Sequence, residues 1–83
     1  MSGALWLIIY TAGTIGGFAG PVPYDMDECI KRRDDMRVTQ EQGLAAGINI
    51  QTGEPMTDDE RAGVASLSFE CEYRAVKPIL GGK

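Results

Sequence analysis

Ala4-Leu5-Trp6-Leu7-Ile8-Ile9-Tyr10-Thr11-Ala12 is a dense run of β-formers. Side chains alternate across a strand, so Leu5, Leu7 and Ile9 share one face and Trp6, Ile8 and Tyr10 the other. Both faces are apolar, the pattern of a strand covered on both sides, and this predicts a central strand. Gly13 marks a turn, after which residues 14–19 return as a second strand. Strict alternation would put Ile15 and Phe18 on opposite faces, and a bulge at Gly16-Gly17 can reset the phase. Residues 4–20 are therefore expected to form a hairpin. Pro21 and Pro23 exclude a central strand after it and suggest an edge or an exit loop.

Two other readings of this opening stretch compete with the hairpin. From Met1 to Tyr24 there is no charged side chain, a length sufficient to span a bilayer. The spacings Gly13 to Gly17 and Gly16 to Gly20 also suit a membrane helix interface. Against a membrane span, the strongly apolar run ends at Tyr10 and is too short. A secretory signal with cleavage after Ala19 would need a basic n-region, which only the amino terminus could supply. The hairpin is the favoured reading.

Working outward, a helix is expected over residues 25–42. Asp25 suits the N-cap, and Asp27 and Glu28 place negative charge where the helix dipole favours it. Met26, Cys29, Ile30 and Met36 share one face with the stem of Arg33. Asp27–Lys31 and Glu28–Arg32 form i,i+4 pairs of favourable order. Gly43 or Gly47 is the expected stop. Residues 43–64 read as a loop carrying a short helical turn, announced by the capping box Thr57-Asp58-Asp59-Glu60 and ended at Gly63. In the last strand, 65–76, Leu67, Phe69, Cys71 and Tyr73 alternate with polar residues, so one face is dry and one wet. Residues 77–83 read as a frayed tail. The expected fold is α+β, in the order β-β-α-β. Its three-stranded antiparallel sheet has the spatial order 2-1-3, with one main helix on one face.

Composition narrows the function classes. At 83 residues the chain is a single small domain, of the size that gains from a staple. The net charge of −4 argues against binding a nucleic-acid backbone or an anionic membrane surface. Histidine is absent, which removes the commonest general base and metal ligand. No catalytic residue, metal ligand set or cofactor is expected. The glycine-rich segment 13–20 lacks the Gly-Lys-Ser/Thr ending and the following helix of a phosphate loop. No run has calcium-loop spacing.

Cys29 and Cys71 are a candidate disulfide, because each lies on the apolar face of its element. Two buried reduced thiols are an equally open alternative at this point. The acidic clusters could form a surface that mimics nucleic acid, but capped helices and solvated faces account for them more simply. A single helix covers one face of a three-stranded sheet. The other face would then leave uncovered either Trp6, Ile8 and Tyr10 or Leu5, Leu7 and Ile9, and such a patch would mark a partner or self-association surface, with Trp6 and Tyr10 as the natural anchors, unless Leu44, Ile48, Ile50 and Met56 fold back over it. The candidate partner-binding residues are Trp6, Ile8, Tyr10, Phe18, Glu70 and Glu72.

The segments LWLIIY (5–10), YDMDECIKRRDDM (24–36) and FECEY (69–73) together resemble small uncharacterised proteins encoded in temperate phages and prophages. Those chains have an apolar Trp-containing hairpin, an acidic-capped helix with one cysteine and a final strand with a second. The stretch between Gly43 and Gly63 is longer than that pattern requires. The resemblance implies a non-enzymatic viral accessory protein that acts by protein–protein binding, such as an inhibitor of a host immune system. It carries over no functional residue. An exported or virion-associated structural protein held by Cys29–Cys71 is the alternative. The host cytoplasm suits the first reading, and an oxidising compartment the second.

Overall fold

The structure, a computed structural model, describes residues 3–49 and 52–83. It contains β1 (Ala4–Thr11), β2 (Thr14–Ala19), α1 (Met26–Ala46), α2 (Asp58–Ala65) and β3 (Leu67–Arg74). The sheet is antiparallel with spatial order β2-β1-β3, so the strand with two apolar faces is central. β1 and β2 join through Ala12 and Gly13, both at positive φ (51° and 87°), as a two-residue hairpin turn of matching twist requires. The β1–β2 register shifts between Ile9 and Tyr10, which pair with Gly17 and Ile15, so Gly16 is the extra residue of a bulge. A Cβ at Gly16 would strike the Thr11 hydroxyl, which explains why glycine stands there. The bulge brings Ile15 and Phe18 onto the same face as Trp6 and Ile8.

Helix α1 starts where its cap predicts. Asp25 Oδ1 accepts the Glu28 amide at 3.0 Å, and Arg32 pairs with Glu28 at 3.0 Å. The helix continues past Gly43 through Leu44, Ala45 and Ala46, good helix formers, and stops at Gly47 in the left-handed region. Helix α2 opens with the full capping box: the Thr57 hydroxyl accepts the Glu60 amide, and Glu60 accepts the Thr57 amide. It runs two residues beyond Gly63, to Ala65.

Two dry layers result. On the helix side, Leu5, Leu7 and Cys29 are buried, flanked by Val22, Tyr24, Met26, Met36 and Cys71. On the far side, Trp6, Ile8 and Ile15 are buried, flanked by Ala4, Tyr10 and Phe18. Cys29 and Cys71 are joined by a disulfide, with their Cα atoms 6.2 Å apart. Among the described residues of α1, Cys29 alone is fully buried, so the covalent clip supplements a thin apolar contact.

The loop closed by this bond spans 42 positions, which corresponds to about 4 kcal/mol in the chain-entropy account. C29S/C71S is therefore expected to unfold at markedly lower urea, with a stability loss of up to about 4 kcal/mol. Reduced wild type should match the variant. Equal midpoints for oxidised and reduced protein would contradict this role.

Candidate interaction surface

The six residues singled out from the sequence for partner binding lie together around the far face of the sheet. The register sets Trp6 opposite Glu72, Ile8 opposite Glu70 and Ile8 opposite Phe18. The Trp6 and Phe18 rings meet edge to face at 5.8 Å. The face is not bare, however. Trp6 is 6% exposed and Ile8 fully buried. The expected exposed trio is corrected accordingly: of the three, Tyr10 alone keeps partial exposure.

The cover comes from an unexpected segment. The last strand ends at Arg74 rather than at 76, and the tail 77–83, expected to fray, is instead tied to β2. The Ile15 amide donates to the Gly82 carbonyl, and the Gly81 amide donates to the Ile15 carbonyl, each at 2.7 Å. Pro78 is buried, and the Lys77 ammonium lies 5.5 Å from the centre of the Phe18 ring. Of the alternative cover, Met56 instead lines a cleft of about 530 Å³ between α1 and α2, and Ile48 is exposed. Ile50 lies outside the described residues.

The tail leaves its own large side chains in solvent. Val76 and Ile79 are each 73% exposed and Leu80 is 63% exposed. Sequence reasoning missed this trio because it has neither the helical nor the strand period. The apolar pair Ile79-Leu80 beside Pro78 was the available signal.

Beside the tail lies a polar cluster. The Tyr10 hydroxyl donates to Glu72 at 2.5 Å, and the Arg74 guanidinium donates to the other Glu72 oxygen at 2.9 Å and to the Tyr10 hydroxyl at 3.1 Å. The hydrogen bond to Glu72 raises the Tyr10 pKa, because a phenolate there would lose its acceptor, and burial raises it further; Arg74 partly opposes both. The same carboxylate holds the Arg74 pKa up. Glu70 pairs with Arg37 of α1 at 3.4 Å. At the start of α2, hydrogen bonds from Asn49 and then Thr57 lower the Glu60 pKa. These groups order the surface, and Glu60 lines the cleft between α1 and α2 together with Asp35 and Thr39.

Among the described residues, no cluster of three or more Cys, Asp or Glu side chains could hold a metal ion. No described helix is long and apolar enough to cross a membrane. No family model, curated protein or solved structure significantly matches the chain.

This geometry sets two expected outcomes. Deleting residues 77–83 should shift Trp6 fluorescence to longer wavelength, because Phe18 and Ile15, which pack with the indole, lose the contacts that hold them; unchanged emission would show that the tail does not secure this layer. Tyr10→Phe should cost about 1 kcal/mol through the lost hydrogen bond. Because the folded-state Tyr10 pKa lies above its unfolded value, this contribution is complete below about pH 10 and fades as pH rises through the folded pKa. Stability curves of wild type and Y10F should therefore converge at high pH. A gap that persists or widens there would contradict the assignment.

Proposed function

We propose that this chain is a small non-enzymatic accessory protein of the phage type that acts by binding another protein. The observation that carries this reading is the exposure of Val76, Ile79 and Leu80 on a segment tied to the sheet. Clustered exposed apolar side chains on a small domain mark an interaction site. Phe18 meets that segment through Lys77, with Trp6 and Ile8 on the same face of the sheet, and Tyr10, Glu70 and Glu72 supply a polar margin whose carboxylates pair with Arg37 and Arg74. Such a rim of paired charges favours a partner with polar groups of both signs around an apolar pocket. The resemblance of the hairpin, helix and last strand to phage accessory chains supports inhibition of a host immune system as the biological role.

A second reading is favoured by a separate observation. The Cys29–Cys71 disulfide suits an oxidising environment, where such bonds persist, and fits an exported or virion-associated structural protein.

The test compares wild type with V76S/I79S/L80S as immobilised baits in bacterial host lysate, with purified virions analysed in parallel. A host protein retained by wild type and lost from the triple variant is the expected result. Equal capture by both baits would remove the tail from the binding site. The chain found in washed virions, with no host protein captured, would replace the first reading with the second.

A further inference from the structure

The cleft between α1 and α2, about 530 Å³, falls within the roughly 300–1,000 Å³ of small-molecule sites. Met36, Met56, Val64 and Leu67 give it apolar walls. Methionine is flexible and polarisable, and suits a surface that adapts to a ligand. Gly43 widens the space. Glycine weakens a helix interior, yet α1 carries one on this wall. A Cβ there would meet the Met56 methyl at 3.7 Å, so a larger side chain would grow into the cleft. From Asp35 to Gly43 the cleft follows α1 for about 12 Å, the reach of one small molecule and short for a docked helix. Neither the tail nor the six residues on the far face of the sheet line it, so this site is separate from the protein-binding surface.

A hydrogen-bond inventory of the walls selects the ligand's chemistry. Gln40 spends both amide hydrogens, on the Val64 carbonyl at 2.7 Å and the Leu67 carbonyl at 3.0 Å, which leaves its side-chain oxygen. The Thr39 hydroxyl donates to the Asp35 carbonyl and keeps only acceptor capacity. Glu60 accepts from Asn49 at 2.6 Å and from the Thr57 amide at 3.3 Å, and these bonds favour its charged form. The Asp35 carboxylate meets no hydrogen-bond or ion-pair partner among the described residues. These four side chains therefore offer acceptors and no donor. Among the described residues, no lysine or arginine lines the cleft.

We infer that the cleft binds a small organic cation, a protonated amine carrying an apolar body. Its charge is drawn to Asp35 on α1 and Glu60 on α2, its N–H groups donate to the acceptors around them, and its body packs on Met36 and Met56. An anion would face two carboxylates with no cation to offset them, and a neutral apolar molecule would strip water from acceptors without replacing it. The net charge of −4 adds attraction for a cation from a distance.

Tryptamine, tryptophol and indole-3-acetate share one ring and carry positive, zero and negative charge at pH 7. Each is titrated into the oxidised full chain, with methionine methyl groups labelled with ¹³C, at about 0.1 M salt, where the screening length is about 10 Å. Met36 and Met56 report on the cleft, and Met26, packed in the helix–sheet layer, is the internal control. Tryptamine should shift the Met36 and Met56 signals, leave Met26 in place and saturate with a Kd of about 1 mM or tighter. Tryptophol should bind about fivefold more weakly, and indole-3-acetate more weakly still. In D35N/E60Q, glutamine keeps the capping acceptor, and tryptamine should fall to the level of tryptophol. G43L should fill the cleft and abolish binding of both; circular dichroism checks that the variants fold. No shift with tryptamine up to about 10 mM, or equal affinity for all three ligands, would overturn the proposal without recourse to a variant. So would undiminished tryptamine binding in folded D35N/E60Q or folded G43L.

Discussion

The structure turns on one constraint: β1 is apolar on both pleat faces, and both must be kept from water. Leu5 and Leu7 on one side and Trp6 and Ile8 on the other are each less than one-tenth exposed. Full burial of a large apolar side chain contributes about 1.5–3 kcal/mol, so neither face can be left open in a domain this small. One face takes the helix and the other takes the C-terminal tail. The element order, the central place of β1 and the return of the chain after Arg74 all follow from that need.

The two covers are built differently. Helix α1 is mostly polar and meets the sheet through a narrow contact around Cys29. A disulfide at that point fixes the helix where apolar area alone would hold it weakly. Gln40 and Arg37 extend the attachment by capping carbonyls on the β3 edge. The tail has no helix or strand of its own. It is held by paired backbone hydrogen bonds to Ile15, the buried Pro78 and the Lys77–Phe18 contact. Val76, Ile79 and Leu80, which lie in or just before it, stay in solvent, so the element that completes the core also carries exposed apolar side chains.

The polar features serve the same architecture. Tyr10, Glu72 and Arg74 form a small network where the wet alternation of β3 meets the dry face of β1. Glu72 accepts from both neighbours, and neither donor is left unpaired at the boundary. The indole nitrogen of Trp6 is the contrasting case. It is buried without a hydrogen-bond partner, a cost that the ring's contact with Phe18 and the surrounding apolar packing must offset.

Much of this was written in local pattern. The alternation in 4–12 and 67–73, the Gly16 bulge, the Asp25 and Thr57 caps and the shared dry layer of Cys29 and Cys71 are short-range signals, and each rests on backbone geometry that few neighbouring residues determine. The strand order was legible because a strand dry on both faces belongs in the centre. The disulfide bond itself, the extension of α1 to Gly47 and the attachment of the tail at Ile15 and Phe18 were not. Proximity of two thiols does not specify their oxidation, and Gly43 was as plausible a stop as Gly47. Pro78 to Gly82 carries no period for a sequence reading to detect. The sequence by itself determined the elements and the need to cover two faces. Only the tertiary structure decided which segment met that need, because docking of an aperiodic tail depends on backbone groups and cavities that exist only once the sheet has formed.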